Sequence, residues 1–360
     1  MALIGTLQLR PVTLGRLVFF VFLLLAVSAT AQEIVEKEKG LYSTKDLKAV
    51  TQIGALKTIF IKSAVGLGGK LQIQTDPGKN VMVTYTKQAR AADRDKGIDY
   101  IDLISLQLGT TAEDVRLEMR APNPAPWRQA DEAGIVDVVV TVPENCLIDI
   151  DASSFDVTAV GPFKSFVVHA SLGRMDISEV TGKVDVTPSN RRINLEKITG
   201  ELSVSTTNES IIARDIKCPD GQAQFRNDGG DIKLDRVVGG INIKNSYGRI
   251  DVSDYQPSGT GNFIRNNSGP IILELSHMTG GQLVITNQYE DIELSIPDTL
   301  SAVLSLKVDE DGVIQAKNFP FRSDLVERNR LSLRLGKGEA DISGSIRGKG
   351  NIYVRGVKGE

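Results

Sequence analysis

What this 360-residue chain has little of sets its first bounds. It has two histidines, His169 and His277, 108 positions apart and neither with a cysteine or histidine nearby. Each therefore reads as a surface or turn residue rather than a ligand or base. HExxH, GxSxG, the phosphate-binding P-loop and the GGxGxD calcium repeat are all missing, so no catalytic residue, metal site or cofactor is expected. Aromatic residues make up only 5%, against 34 glycines. That balance suits thin strands separated by tight turns better than a large globular core, and helices should be few. Charge of one sign is scarce too: 42 basic and 45 acidic residues lie along the chain without blocks, for a net charge of −3. Such a balance argues against nucleic acid or an anionic membrane surface as the partner.

Long apolar runs are missing except at the start. Arg10 and Arg16 precede the 11-residue run Leu17 to Val27, and Ser28-Ala29-Thr30-Ala31 follows. This reads as a secretory signal peptide over residues 1–31, cleaved after Ala31. The run is too short for a membrane-spanning helix, which needs about 18 or more residues. Cleavage removes two arginines, takes the mature chain to −5, and leaves no transmembrane span.

What is there is a repeat. Met175-Asp176-Ile177, Ile193-Asn194-Leu195, Ile232-Lys233-Leu234, Ile250-Asp251-Val252 and Ile292-Glu293-Leu294 share an apolar–polar–apolar pattern. A second set alternates with it: Val184-Asp185-Val186, Leu202-Ser203-Val204, Ala223-Gln224-Phe225, Ile241-Asn242-Ile243 and Leu283-Val284-Ile285. Period two turns the outer pair of each triplet to one face. The step from second strand to next first strand is nine residues in all six cases from Val186–Leu195 to Ile285–Leu294. The reverse step is nine or twelve, so one edge is fixed and the other takes insertions. Rungs of 18 or 21 residues with two short strands each predict an all-β fold, a β-solenoid, with inward ladders of Ile, Leu and Val.

The turns carry their own signals. Gly182, Gly200, Gly221, Gly240, Gly261 and Gly281 each precede a second strand, where positive φ is expected. Asn227, Asn245, Asn266 and Asn287 recur two residues after it and read as a structural ladder, suited to left-handed backbone and to bonding the rungs above and below. Asn262 and the alanine pair Ala213 and Ala223 break the apolar pattern, predicting a register slip or a thinner core. The two cysteines, Cys146 and Cys218, fall about four rungs apart, roughly 19 Å at ~4.8 Å per rung. That is too far for a disulfide, which needs Cα atoms within about 7 Å.

The flanks are less regular. Residues 32–48 read as a flexible leader or short helix, and 49–145 as an irregular β-rich cap. Its strands are expected over Leu56–Ile61, Lys70–Gln74, Asn80–Thr86, Tyr100–Leu108 and Ile135–Val142. Residues 146–300 form the regular part, and 301–360 supply strands that continue or cap it.

The stretch Val138-Val139-Val140-Thr141-Val142-Pro143-Glu144, then Leu147-Ile148-Asp149-Ile150, then rungs such as Gly230-Asp231-Ile232-Lys233-Leu234 and Gly248-Arg249-Ile250-Asp251-Val252, resembles the exported bacterial putative-adhesin family of unknown function. The resemblance runs from about Leu56 to the C-terminus. It implies a fold of short β-strand repeats and carries no catalytic residues. The expected function is a non-enzymatic structural or binding protein, adhesin-like, in the periplasm or on the cell surface, whose partner is an envelope protein or glycan. Its candidate recognition edge is the insertion side, with Lys217, Tyr255, Gln256, His277 and Met278. A candidate apolar contact patch comprises Phe263, Ile272 and Val284, which the C-terminal strands or Leu300–Phe321 are expected to cover. The alternative is a carbohydrate-active enzyme using Asp176, Asp185, Asp251 or Glu293 on one face.

Overall fold

The computed structural model describes residues 33–53, 58–111, 113–309, 311–319 and 325–358, so the expected signal peptide lies outside the described residues. Among these the chain is all-β with one helix, Arg94–Asp102. The alternating triplets form two columns of parallel strands. In the first-strand column Met175 lies beside Ile193, then Ile211, Ile232, Ile250, Ile271 and Ile292. In the second-strand column Val184 lies beside Leu202, Ala223 and Ile241, and Asn262 beside Leu283. Every residue so aligned is buried. Each inward Ile, Leu or Val contributes at most about 1.5–3 kcal/mol. The steps of 18 and 21 residues read from the sequence are the observed pairings, and the longer ones enter at the same edge.

Five strands of 14 to 17 residues, from Phe155–Ser171 to Ile232–Asn245, each pass through both columns. Four of them, from Met175–Ser189 to Ile232–Asn245, and the next strand, Ile250–Gln256, turn the corner on a single left-handed residue. Glu179, Lys197, Asp215, Arg236 and Asp254 have φ of 61°, 55°, 56°, 53° and 47°, each one position after a residue of the aligned series Ser178, Glu196, Arg214, Asp235 and Ser253. The bend re-aims the next side chain inward. Val180, Ile198, Ile216, Val237 and Tyr255 are all fully buried, a third apolar column that triplet counting misses. The glycine expectation holds for Gly182, Gly200, Gly261 and Gly281, which have positive φ. It fails for Gly221 and Gly240; Gly239 is left-handed instead. A Cβ on Gly200 would sit 2.1 Å from the Gly182 carbonyl oxygen, so stacking as well as φ requires glycine there.

Both ends are interlocked. Asp114–Arg120 with Ala133–Pro143, and Leu147–Asp151 with the start of Phe155–Ser171, are successive in sequence. Between them the earlier segments Thr58–Ser63 and Leu67–Asp76 pair in parallel on both sides. At the other end Ala340–Ile346 and Ile352–Val357 slot between Gly281–Pro297 and the pair Ala302–Val308 and Ile314–Lys317. Antiparallel strands then close the edges: Asn80–Arg90 and Ser105–Thr110 at the N-terminal end, Arg330–Leu335 and Leu325–Glu327 at the C-terminal end. Residues 33–48 are not a leader or helix. Ile34–Glu38 and Leu41–Thr44 are strands that extend this cap. The segment expected as a strand over Tyr100–Leu108 begins in the helix, because Asp93 caps it by accepting from the Lys96 amide and Gly97 lets the Tyr42 ring lie where a Cβ would be, 2.2 Å from the nearest ring atom.

The asparagine column is structural, but not by left-handed backbone: none of its four members has positive φ. Asn266 Nδ2 donates to the carbonyls of Gly248 in the preceding rung and Gly269 in its own turn, both at 2.8 Å, while Oδ1 accepts from the Asn267 amide. Asn245 and Asn287 repeat this pattern. Each amide thus closes its turn and ties it to the turn before. Asn266→Ala strands these groups, so its unfolding free energy in urea should drop by about 1–3 kcal/mol. Glu209→Ala, at an exposed turn, should change it by less than about 0.5 kcal/mol.

Candidate binding surface

Tyr255 and Met278, two of the five insertion-edge residues, are buried, at 0% and 3% exposure. They cannot present a side chain to a partner. Tyr255 occupies the third inward column, and its hydroxyl lies 2.9 Å from Asn262 Oδ1 and 3.2 Å from the Gly239 carbonyl. Asn262 causes no slip. Its Nδ2 donates to Ser258, Gly259 and Gln282 carbonyls, and its Oδ1 also accepts from the Ile241 amide. This buried pair pins the insertion through Ser258 and Gly259 from within, and burial pushes the Tyr255 phenol well above its ordinary range. Lys217 and His277 are exposed and Gln256 is half-buried.

Cys218 lies behind the same edge, 1% exposed. No disulfide joins it to Cys146, as the rung count required. Desolvation pushes its thiol from 9.0 up to about 11, so the folded chain holds this proton where the unfolded chain releases it. The associated stability is complete below pH 9 and is lost as pH rises through about 11. Urea titrations of wild type and Cys218→Ala should therefore diverge above pH 9, with wild type falling more steeply. At pH 8 Cys218 should react with a thiol reagent only after unfolding.

The expected apolar patch is split. Phe263 and Val284 are neighbours in the second-strand column, whereas Ile272 lies in the first, between Asp251 and Glu293. The C-terminal strands do not cover them; they extend the ladder, with Ser343 beside Val284. All three side chains are half-buried, and the Arg265 guanidinium stacks 5.1 Å from the Phe263 ring centroid.

The four carboxylates do not converge. Asp185 is in the second-strand column and pairs with Lys183 at 3.3 Å. Asp176 pairs with Arg174 at 2.9 Å, and Asp251 lies 3.8 Å from Arg249. Asn194, Ile212 and Lys233 separate Asp176 from Asp251. Among the described residues no group of three His, Cys, Asp or Glu is placed to hold a metal ion.

The two outward faces differ in electrostatics. On the first-strand face charges alternate between rungs: Glu196, Arg214 and Asp235 are neighbours, as are Lys233 and Asp251. The corner residues alternate too, with Lys197 3.0 Å from Glu179 and Arg236 bidentate on Asp215 at 2.7 and 2.9 Å. That contact lowers the Asp215 carboxyl below its usual range.

The second-strand face has two parts. At its N-terminal end Arg116, Phe60, Asp149 and Val167 form one outward row, and Glu118, Lys62, Asp151 and His169 the next. They line a shallow cleft of about 420 Å³. Its charges satisfy one another, with His169 3.1 Å from Asp149 and Lys62 3.6 Å from Asp151. Further along, the second row becomes Arg226, Lys244 and Arg265 in three successive rungs. All three are exposed, and none forms a salt bridge. The first row beside them is Gln224, Asn242 and Phe263. Sequence reasoning passed over this stripe because its members stand 18 and 21 positions apart; the register already found was the signal that aligns them. A second cleft, about 490 Å³, lies at the cap beside Trp127 and is lined by Gly66, Gly68, Gly69 and Gly134. Its groups are tied up internally: Trp127 Nε1 donates to the Gly66 carbonyl at 2.7 Å, and Glu132 takes Lys96 and the Tyr100 hydroxyl.

No family model matches the chain, and no curated protein matches it. Among solved structures it is similar to a "putative cell adhesion protein" from Clostridium sporogenes ATCC 15579, at 12% identity and TM-score 0.21, over 87% of this chain and 100% of that one. It is also similar to a "putative adhesin" from Parabacteroides distasonis ATCC 8503, at 9% and 0.24, over 86% and 97%. A third, from Bacteroides fragilis NCTC 9343, gives 11% and 0.21 over the same shares. Values this low assign the chain neither fold nor function, and the family resemblance stands without a family model to support it.

Proposed function

We propose that the chain is an exported, non-enzymatic binding protein, adhesin-like in the sense that a repetitive β-solenoid scaffold displays a contact surface in the periplasm or outside the cell. Its partner meets the outward face of the second-strand column rather than the insertion edge. The observation that carries this reading is the contrast between the faces. On the first-strand face opposite charges are neighbours in successive rungs, whereas the stretch of the second-strand face from Arg226 to Arg265 sets three exposed cations beside amides and a half-buried aromatic, with no acid in either row. Unspent charge at a surface steers and orients a partner of opposite sign. The enzyme alternative finds no support in carboxylates that are dispersed over two faces, three of them ion-paired with a near neighbour in sequence.

The test is retention of the chain from Gln32 onward by bacterial envelope material in a co-sedimentation assay. A face variant with Gln224→Glu, Asn242→Glu and Val284→Glu should lose retention. An edge variant with Lys217→Ala and His277→Ala should keep it. The reverse pattern moves the site to the insertion edge, and no retention of wild type overturns the binding reading.

A further inference from the structure

The second-strand face carries a more specific arrangement than its charge. Arg226, Lys244 and Arg265 align in successive rungs, so three cations stand in a line spanning about 10 Å at roughly 4.8 Å per rung. The turn that follows these strands brings aromatics to their side. Tyr247 and Tyr289 are the two exposed tyrosines among the chain's exposed large apolar residues, at 68% and 46%. Each sits two positions after an asparagine of the turn-closing column, Asn245 and Asn287, with Ser268 at the corresponding position between them. That puts two tyrosines in turns two rungs apart at the end of the strands that carry the cations, Tyr247 after the Lys244 strand and Tyr289 one rung beyond Arg265. In the row on the other side of the cations, Gln224 and Asn242 offer side-chain amides. The nearest acid, Asp228, lies in the turn after Arg226, and its carboxylate accepts from the Ser246 hydroxyl.

Resting on the binding reading, we infer that this strip is a subsite for a linear acidic polysaccharide lying along the ladder axis. Each part of such a ligand has a counterpart. Repeating carboxylates or sulfates meet the evenly spaced guanidinium and ammonium groups. Sugar hydroxyls meet amides that both donate and accept. The apolar faces of sugar rings meet tyrosines, whose exposure otherwise carries an unrecovered hydration cost. A nucleic acid fits less well. Single-stranded nucleic acid stacks successive bases on closely spaced aromatic platforms, and only two tyrosines, two rungs apart, stand here. The ladder also explains why the site is linear: one side chain per rung on a fixed pitch can only write a straight line of charge.

The experiment measures binding of the chain from Gln32 onward to polygalacturonate, heparin, neutral dextran and single-stranded poly(dT). Wild type should bind polygalacturonate, heparin or both, with affinity that falls as salt rises, and should ignore dextran. The two acidic polymers tell carboxylate from sulfate recognition. Replacing Arg226, Lys244 and Arg265 by Gln should weaken binding roughly tenfold or more and flatten its salt dependence. Tyr247→Ala with Tyr289→Ala should weaken it while leaving the salt slope in place. Arg214→Gln on the other face is the control for net charge and should change little. Folding of each variant is checked by its urea midpoint, since all six substituted side chains are exposed. Binding to poly(dT) as tight as to either glycan, undiminished binding of the triple variant, or no polyanion binding by wild type overturns the inference. If envelope retention persists in the triple variant, the subsite falls and the binding reading stands.

Discussion

Everything in this molecule depends on the parallel backbone ladder. A strand in it has no hydrogen-bonding partner within its own rung, so each is satisfied only by the segments above and below. That condition turns the sequence into columns. A position inside one rung must be inside in the next, as the run from Met175 through Ile193, Ile211 and Ile232 shows. It also forces a solution at the ends, where unpaired strand edges would otherwise remain. The chain meets that demand by switching to antiparallel pairing in Asn80–Arg90 and Arg330–Leu335.

The corner shows how strain and charge are combined within that constraint. A non-glycine residue in left-handed conformation costs about 1–2 kcal/mol, and five occur in register from Glu179 to Asp254. What offsets the cost is the third inward column, since each bend buries a Val, Ile or Tyr immediately after it. The exposed ion pairs along the corner add little to stability. Their alternation bears on specificity instead. Acid and base succeed one another from Glu179 to Lys197 to Asp215 to Arg236, so a strand that skipped one rung would set like charges side by side.

Much of the middle was legible from the sequence because a ladder with period-two strands writes its register in spacing. The nine-residue steps, the insertion edge and the separation of Cys146 from Cys218 could all be counted. What escaped was set by contacts spacing does not record. Tyr255 read as a loop residue because the left-handed bend that turns it inward has no residue signature, its five members being Glu, Lys, Asp, Arg and Asp. Asn262 looked like a misfit because its partners, Tyr255 and the backbone of Gln282, come from other parts of the ladder. The capping strands near residue 40 were hidden because their alternation is weak and three of the five residues of Ile34–Glu38 are charged. Of the site, the Phe263 position was visible and the cationic line was not, since the two kinds of residue were counted separately instead of by rung.

The interlocked ends set an order on how the chain can be completed. In the middle, neighbours in space are neighbours in sequence, so rungs can be added one after another as the polypeptide becomes available. At the C-terminal end that rule breaks. The pair Ala302–Val308 and Ile314–Lys317 has no parallel place on the growing stack until Ala340–Ile346 and Ile352–Val357, which follow it in sequence, slide in between. At the N-terminal end Thr58–Ser63 and Leu67–Asp76 must wait for partners 56 to 89 positions later in the sequence, as Thr58 does for Asp114 and Leu147. A stack built up from its N-terminal side therefore stays open at its C-terminal end until Ala340–Ile346 and Ile352–Val357 join it, and a copy lacking them carries open strand edges that a quality-control protease can recognise.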